Sequence, residues 1–286
     1  MSTSDLHSRM AIARWAYLRA CNLELRAFKP GNVSIYSEGH DMTVDDFELS
    51  AEVSAPHLCN PDIPLGERIF NAIAATFDVV GCNTNLGIVL LAAPLILAFQ
   101  HQQPGESLHQ AVTRILQTTT LADAEWVYQA IRLAHPGGLG EAPEQDVHAA
   151  PGVILLEAMR LAAHRDSVAR QYTASFHDIF HCAIPMYHSK LSQWDDEEWA
   201  TVAVFVGLLR RFPDSHVERK FGSKWSGDVT DRMIRIEEAL SGTDRPLSCL
   251  RLLWDADTEF KSRGINPGTT ADLTVACLLA LALKQG

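Results

Sequence analysis

The chain has 286 residues, of which 47% are hydrophobic and 21% charged, and this globular composition excludes a disordered or fibrous chain. Its formal net charge of -11 argues against nucleic acid and anionic membrane as partners, because both require a basic surface. The first residues lack the apolar stretch of a signal peptide, and the six scattered cysteines form no C-x-x-C motif. We therefore expect a protein of the reducing cytoplasm.

Apolar residues recur at helical spacing along almost the whole chain, whereas period-2 alternation is limited to a short candidate strand at 32–36. The predicted helices lie near residues 12–23, 47–55, 69–77, 86–99, 108–116, 122–133, 153–163, 168–180, 199–211, 233–240, 250–260 and 273–283. The apolar run 86–99 is too short to span a bilayer and predicts a buried helix. The connections are short and no composition shift marks a linker. We therefore predict an all-α fold, a single compact domain of about a dozen helices over residues 1–286, with little or no sheet.

Polar loops between these helices are the places where chemistry is expected. The first follows the helix that contains Glu24, and it reads Lys29-Pro30-Gly31. Lys29 offers a flexible donor next to a glycine that permits close approach of a ligand. The alternative is a plain helix stop with a solvated lysine.

The second loop contains His40 and Asp41, followed by Asp45 and Asp46. A neighbouring His and Asp can hold a hard metal ion through oxygen or serve as acid and base. The alternative is that Thr43 or one of the later aspartates only caps the next helix.

The third loop runs from Gly81 to Gly87 and carries Asn83 and Thr84 in front of a strongly apolar helix. Its glycines permit a tight turn that presents N–H groups at a helix N-terminus, which is the geometry of an anion site. A simple Asn or Thr cap is the alternative, although capping needs one polar residue and here there are three.

The fourth loop is rich in glycine, with Gly138 and Gly140 followed by Glu141, and is either a ligand-contacting loop or merely a flexible one. The fifth enters the last apolar helix with Thr270 and Asp272. Capping and the helix dipole suffice to explain these two residues, but they can equally face a cleft.

Two further stretches, 165–170 and 212–220, each combine an Asp with a later Arg, and we interpret both as ordinary surface ion pairs. The chain contains no H-E-x-x-H, G-x-S-x-G or zinc-finger pattern, which argues against metalloproteases, α/β-hydrolases and zinc fingers.

Taken together and in this order, the loops resemble those of the triphosphoribosyl-dephospho-CoA synthase family over residues 24–283. The resemblance rests on Lys29-Pro30-Gly31, the 39–42 stretch, Asn83-Thr84 with Gly87, the loop at Gly138 and Gly140, and the stretch 268–273. It implies an all-α enzyme that displaces adenine from ATP and attaches the triphosphoribosyl group to the ribose 2′-hydroxyl of 3′-dephospho-CoA. It also implies a divalent ion, normally Mg²⁺, bound with the triphosphate.

The sequence departs from the better-known members of this family in one place. Their asparagine-threonine motif usually continues His-Lys-Gly, whereas here Asn85 and Leu86 precede Gly87. The acceptor is therefore either dephospho-CoA or a related precursor, such as one of pterin-linked one-carbon metabolism. Two other readings stay open, an N-ribosyl hydrolase with the same metal and carboxylate chemistry, and a non-catalytic nucleotide-binding helical protein.

The hypothetical site follows from the matched motifs and from the chemistry of each residue type. Asp41 and Asp272 are the expected metal ligands, and His40 or Glu24 the expected acid–base group. The expected substrate-binding residues are Lys29, Gly31, Asn83, Thr84, Gly87, Gly138, Gly140 and Thr270. The expected partners are small molecules, ATP with Mg²⁺ and a CoA-like acceptor. The apolar helices also leave a homodimer open, but nothing in the sequence locates its interface.

Overall fold

The computed structural model describes residues 3–138, 140, 144–222 and 224–285. Within these residues the chain forms fourteen α-helices and no strand, which confirms the all-α prediction. The helices are α1 (Thr3–Arg26), α2 (Val44–Leu58), α3 (Leu65–Val80), α4 (Leu86–Gln100), α5 (Leu108–Gln117), α6 (Leu121–Ala134), α7 (Leu155–Ala162), α8 (Ser167–Thr173), α9 (Ile184–Trp194), α10 (Glu197–Arg211), α11 (Ser215–Phe221), α12 (Lys224–Ser241), α13 (Leu250–Ser262) and α14 (Gly268–Gln285). A π-helical segment, Ile179–Ala183, leads into α9, and a 3₁₀ turn, Pro246–Cys249, leads into α13.

Reciprocal capping boxes start three of the helices. Thr43, Ser107 and Thr120 each accept a hydrogen bond from the backbone N–H three residues on, and the side chain at that position bonds back to the cap. Such a box satisfies two N–H groups that the first helical turn leaves unpaired. Ser107 and Thr120 therefore begin the helices predicted near 108–116 and 122–133, and Thr43 with Asp46 accounts for part of the second polar loop by capping alone.

Helices α4 and α14 form the centre of the molecule. Both are apolar around nearly their whole circumference, as expected for helices that are covered on all sides. Helix α4 packs against α1, α3, α5 and α14, while α14 also contacts α1 and α10. The apolar run at 86–99 is therefore a buried helix, as predicted. Within the described residues, no helix has both the length and the hydropathy needed to cross a bilayer.

Two clusters of buried side chains meet along α10. Ala200 and Val204 pack in the larger cluster with α4 and α14, while Val202 and Phe205 pack in a second cluster with α12 and α13. One helix thus contributes opposite faces to both cores.

The strand candidate at 32–36 is wrong. The described residues between α1 and α2 form irregular turns with two isolated bridges, Ser34–Ser37 and Gly39–Met42. Burial does not alternate along this segment, because residues 32–34 are buried and Ile35 and Tyr36 are exposed. The loop is held to α13 at its flanks, where Gly31 N–H and Ser37 Oγ donate to Asp257 at 2.8 and 2.7 Å.

Candidate active site

The N-terminal ends of α4, α8 and α14 meet at a large cleft. Its empty volume is about 1730 Å³, including the mouth that opens to solvent. One end is polar and is lined by side chains from α1, α11 and these three helix starts, whereas the other end is apolar and is lined by α6, α7 and α8. Converging helix N-termini direct their N–H groups and dipoles at one place, which favours a bound anion.

Gly87 lets the carboxylate of Asp272 approach the first turn of α4. A Cβ atom at position 87 would lie 1.9 Å from Asp272 Oδ2, so any other residue would displace this carboxylate. Both residues line the polar end of the cleft. The two loops that carry them are 185 positions apart in sequence, and the packing of α4 against α14 brings them into contact.

Asp272 is a carboxylate without a hydrogen-bond donor in the part of the chain that the structure describes. Burial raises its pKa well above the usual range, and the nearby carboxylates of Asp214 and Glu24 raise it further. A desolvated carboxylate with no donor is costly to keep ionised unless a cation joins it. This is therefore the position in the cleft where a metal ion fits best.

Glu24 lines the same end of the cleft, and Lys29 supports it from behind. Lys29 Nζ lies 3.2 Å from Glu24 Oε1 and donates to the carbonyl oxygens of Glu24 and Val33 at 2.7 and 2.8 Å. Burial raises the pKa of Glu24 and lowers that of Lys29, and their attraction opposes both shifts. Lys29 is 1% exposed and does not line the cleft. Lys29 therefore positions Glu24, and the structure does not support the expected direct contact between Lys29 and a triphosphate.

Asn83 and Thr84 line the cleft next to Gly87, as the sequence suggested. Asn83 Oδ1 accepts from the N–H of Leu86 at 3.1 Å, which starts α4, and Thr84 Oγ1 lies 2.5 Å from Ser50 Oγ. Both side chains therefore have structural partners while facing the cleft. Their amide N–H₂ and hydroxyl groups retain further capacity to bind a ligand.

The basic groups of the cleft come from stretches that we interpreted as surface ion pairs, and that interpretation is wrong. Arg219 Nη1 donates to Asp166 Oδ2 at 2.6 Å across 53 positions, and Arg219 Nε is buried without an acceptor among the described residues. Arg165 lies exposed at the cleft wall. The spacing of Asp and Arg within each stretch could not predict this ion pair, because Asp166 belongs to one stretch and Arg219 to the other.

Thr270 and Gly268 shape the start of α14. Thr270 N–H and Oγ1 both donate to Asp214 Oδ2 at 2.7 Å, so its hydroxyl is already bound and it does not line the cleft, unlike Thr269. Gly268 packs against His216, because a Cβ there would lie 2.9 Å from His216 Nδ1. The His216 ring also lines the cleft, and sequence reasoning missed it.

The family model for ATP:dephospho-CoA triphosphoribosyl transferase, CitG, matches residues 9–286. The chain belongs to this family. Its fold is similar to the crystal structure of a protein from Archaeoglobus fulgidus described as a triphosphoribosyl-dephospho-CoA synthase, with 25% sequence identity and a TM-score of 0.61 over 82% of this chain and 97% of that one. No curated protein sequence matches the chain. The expected family and transferase class are thereby confirmed.

Better-known family members carry His-Lys at the positions of Asn85 and Leu86. The side chains of these two residues point in different directions. Asn85 points away from the cleft, with Nδ2 donating to Thr76 Oγ1 at 3.0 Å, while Leu86 lines the cleft. In this member of the CitG family, the basic side chains that line the cleft are instead Arg165, just before α8, and Arg219 of α11.

His40, Asp41 and Gly31 lie outside the lining of the cleft. His40 Nε2 lies 2.8 Å from the carbonyl oxygen of Gly31, and Asp41 is exposed. Gly31 has φ +82°, and a Cβ there would lie 2.9 Å from Phe260 Cβ, which makes it a packing glycine. The geometry therefore does not bring Asp41 to Asp272 or His40 to the cleft.

In the glycine loop, Gly140 lines the cleft, and Gly138 packs against the backbone of Arg219, 3.1 Å from its carbonyl oxygen. Glu141 lies outside the described residues.

Proposed function

We propose that the cleft binds ATP together with Mg²⁺, transfers its triphosphoribosyl group to the 2′-hydroxyl of 3′-dephospho-CoA and releases adenine. The observation that carries this proposal is the Asp272 carboxylate of α14, which faces the cleft against the first turn of α4 and accepts no hydrogen bond from the described residues. The family match supplies the reaction class.

The triphosphate is best accommodated at the polar end. Three helix N-termini and the two arginines, Arg165 and Arg219, surround it there. Arg219 retains an Nε–H group without an acceptor in the described chain, and Arg165 forms no ion pair there either. These groups would hold a polyanion locally in a protein whose net charge is -11.

Asp272 would hold the Mg²⁺ ion, together with phosphate oxygens. Mg²⁺ commonly binds through one or two carboxylates plus substrate phosphates, so a single desolvated carboxylate beside an anion site fits its preferences. When bound, the ion neutralises part of the triphosphate charge. Asp41, the other expected ligand, is exposed outside the cleft and is not part of this proposal.

The reaction breaks the bond from ribose C1′ to the adenine nitrogen and forms a bond from C1′ to the acceptor oxygen. The departing adenine takes up a proton and the acceptor hydroxyl loses one. Glu24 is the proposed acid–base group, because it lines the cleft and burial raises its pKa against the opposing attraction of Lys29. In its protonated form it can donate to adenine. Once deprotonated, the same carboxylate can take the acceptor proton, which closes the proton balance.

The apolar end would bind the flat or apolar parts of the substrates. It is lined by Val127, Ile131, Leu155, Met159 and Val168. Burial of a purine ring or a pantetheine arm against such side chains contributes about 25 cal/mol per Å² of apolar surface. Binding energy from this end would then position the ribose at the polar end.

Adenine release from ATP and Mg²⁺ with 3′-dephospho-CoA tests the proposal. We expect Asp272→Asn to lower the rate by about 100-fold or more, because it removes charge stabilisation at the site. Asp41→Asn is the matched control and should keep near-normal activity. A near-normal rate for Asp272→Asn would exclude this carboxylate as the metal ligand.

The same assay separates the alternative readings. Adenine release without any acceptor would indicate an N-ribosyl hydrolase, and binding of ATP without turnover would indicate a non-catalytic nucleotide-binding protein. Turnover with an acceptor other than 3′-dephospho-CoA would indicate that the enzyme serves another cofactor pathway. A cytoplasmic location, where ATP and Mg²⁺ are available, is part of the proposal, and the homodimer stays a prediction for light scattering to test.

A further inference from the structure

A second group of potential metal ligands lies on the π-helical segment that precedes α9. His177, Asp178 and Cys182 each place one ligand atom within 4.8 Å of those of the other two. None of these residues lines the cleft. The side chain of His177 is 60% exposed, so an ion from solution can reach the group.

The π-helical geometry explains why these side chains converge. Its i→i+5 hydrogen bonding places Cys182 on the same face as His177, and His181 follows at i+4. The ring centroids of His177 and His181 are 4.8 Å apart. Paired histidines one turn apart on one helix face are an established way to bind zinc. Ser175 and Phe176, directly before His177, both have positive φ. This strained backbone conformation sets the direction in which the chain enters the π-helical segment.

Neighbouring groups already orient Asp178, one of the candidate ligands. Asp178 Oδ2 accepts hydrogen bonds from Arg170 and Gln171 at 2.9 and 2.7 Å, which leaves Oδ1 directed at His177 Nδ1, 3.9 Å away. Such supporting hydrogen bonds around a ligand fix its orientation, as in known metal sites.

His109, from the first turn of α5, contributes a third imidazole beside the group. Its ring lies 5.1 Å from that of His181, centroid to centroid, and stacks on Phe180 at 4.6 Å. Arg170 and Lys284 are the cations nearby, but Arg170 is neutralised by Asp178. The donors that remain are therefore imidazole nitrogens, one thiol sulfur and one carboxylate oxygen.

We propose that His177, Cys182 and Asp178, with His181 as the fourth ligand after a side-chain rotation, bind one divalent transition-metal ion of the zinc type. Nitrogen and sulfur donors in a set of four suit Zn²⁺ and its substitute Co²⁺, whereas Mg²⁺ prefers oxygen alone. The bound ion cross-links residues 177–182, at and just before the π-helical segment, outside the lining of the cleft.

Titration of the metal-free full-length protein with Co²⁺ tests this site, because a cobalt–thiolate bond gives a charge-transfer absorption. The lining of the cleft contains no cysteine in the described residues, so binding there cannot give this absorption. We expect one Co²⁺ per chain, displaced by Zn²⁺, and complete loss of the absorption in Cys182→Ser. His177→Ala should weaken binding by about tenfold or more.

His188→Ala is the matched control, since His188 is an exposed histidine further along the same helix. It should bind Co²⁺ as the unchanged protein does. Absence of the absorption, or its persistence in Cys182→Ser, would overturn the proposal. Because His177 is exposed, its variant should fold normally, and a melting curve without metal checks this.

Discussion

The cleft at the start of α14 and the loop between α1 and α2 carry similar polar residues, but they differ in how completely those residues are bonded. In the loop, Lys29 Nζ has four oxygen partners, the Gly31 N–H donates to Asp257, and His40 bonds to the Gly31 carbonyl, while the Ser34 hydroxyl is the one buried side-chain group there without a partner among the described residues. In the cleft, Arg219 Nε is buried without a partner among the described residues, and the half-buried Asp272 carboxylate accepts no hydrogen bond from them.

This difference distinguishes polar residues that stabilise the fold from polar residues that can bind a ligand. Buried polar groups in proteins are almost always bonded, so those left without a partner require an explanation. The Lys29 loop explains its own polar residues, because it holds Glu24 and packs on α13. The proposed ligand, a triphosphate with its Mg²⁺ ion, would give the unpaired groups in the cleft their partners.

Lys29→Met should have the largest effect on stability, because Lys29 is buried and several oxygen atoms depend on its ammonium group. Removing it leaves the Glu24 carboxylate and three carbonyl oxygens buried without their donor. Breaking a buried ion pair from one side costs about 3–5 kcal/mol. Urea denaturation measures the loss.

Lys224→Met serves as the control, since this lysine is exposed, and its stability should change by less than about 0.5 kcal/mol. Adding Glu24→Gln to Lys29→Met should recover part of the loss, because the uncompensated charge is then removed. If Lys29→Met loses less than about 1 kcal/mol, Lys29 is not the support that its contacts indicate.

Gly87→Ala should affect activity more than stability, because Gly87 lines the cleft. The new methyl group would occupy the position of Asp272 Oδ2 and rotate that carboxylate away from α4. We expect adenine release to fall by about 100-fold, equivalent to about 2.7 kcal/mol of transition-state stabilisation.

Gly227→Ala is the matched control. A Cβ atom there meets nothing within 4 Å, and the position lies on the exposed side of α12, so activity should be unchanged and stability slightly higher. Combined with Asp272→Asn, Gly87→Ala should add little further loss, because both changes act on one carboxylate. Full additivity of the two losses would contradict the proposed contact.

The sequence predicts the fold well because helical periodicity and capping are local properties. Ser107 and Thr120 mark helix starts within four residues of the groups they bond, and the apolar run at 86–99 identifies a central helix without further information. The short alternation at 32–36 misleads, because a few residues are too short a window to separate a strand from a loop.

The candidate site is only partly predictable, since its contacts are long-range. Asn83, Gly87 and Asp272 follow from motif order, and the cleft indeed brings them together. The ion pair of Asp166 with Arg219 spans two helices, so no local spacing reveals it. Lys29 could be recognised as polar from the sequence, but its burial depends on the packing of the whole chain.

His216→Gln should produce the smallest effect, and only in acid. Burial, together with Arg219, Lys220 and His40, lowers the pKa of His216 to about 4. The unfolded chain, with a pKa of about 6.5, therefore binds a proton that the folded protein excludes, and stability falls as the pH drops from 6.5 towards 4. Allowing for solvent screening of this half-buried ring, the loss of stability at pH 4.5 is about 1–2 kcal/mol.

Urea denaturation at pH 7 and pH 4.5 tests this expectation. His216→Gln should lose less stability on acidification, whereas His164→Gln, at an exposed histidine, should behave like the unchanged protein. An equal acid loss in both variants would show that His216 does not remain neutral in the cleft wall, and would place protonated histidine among the groups that can meet the triphosphate.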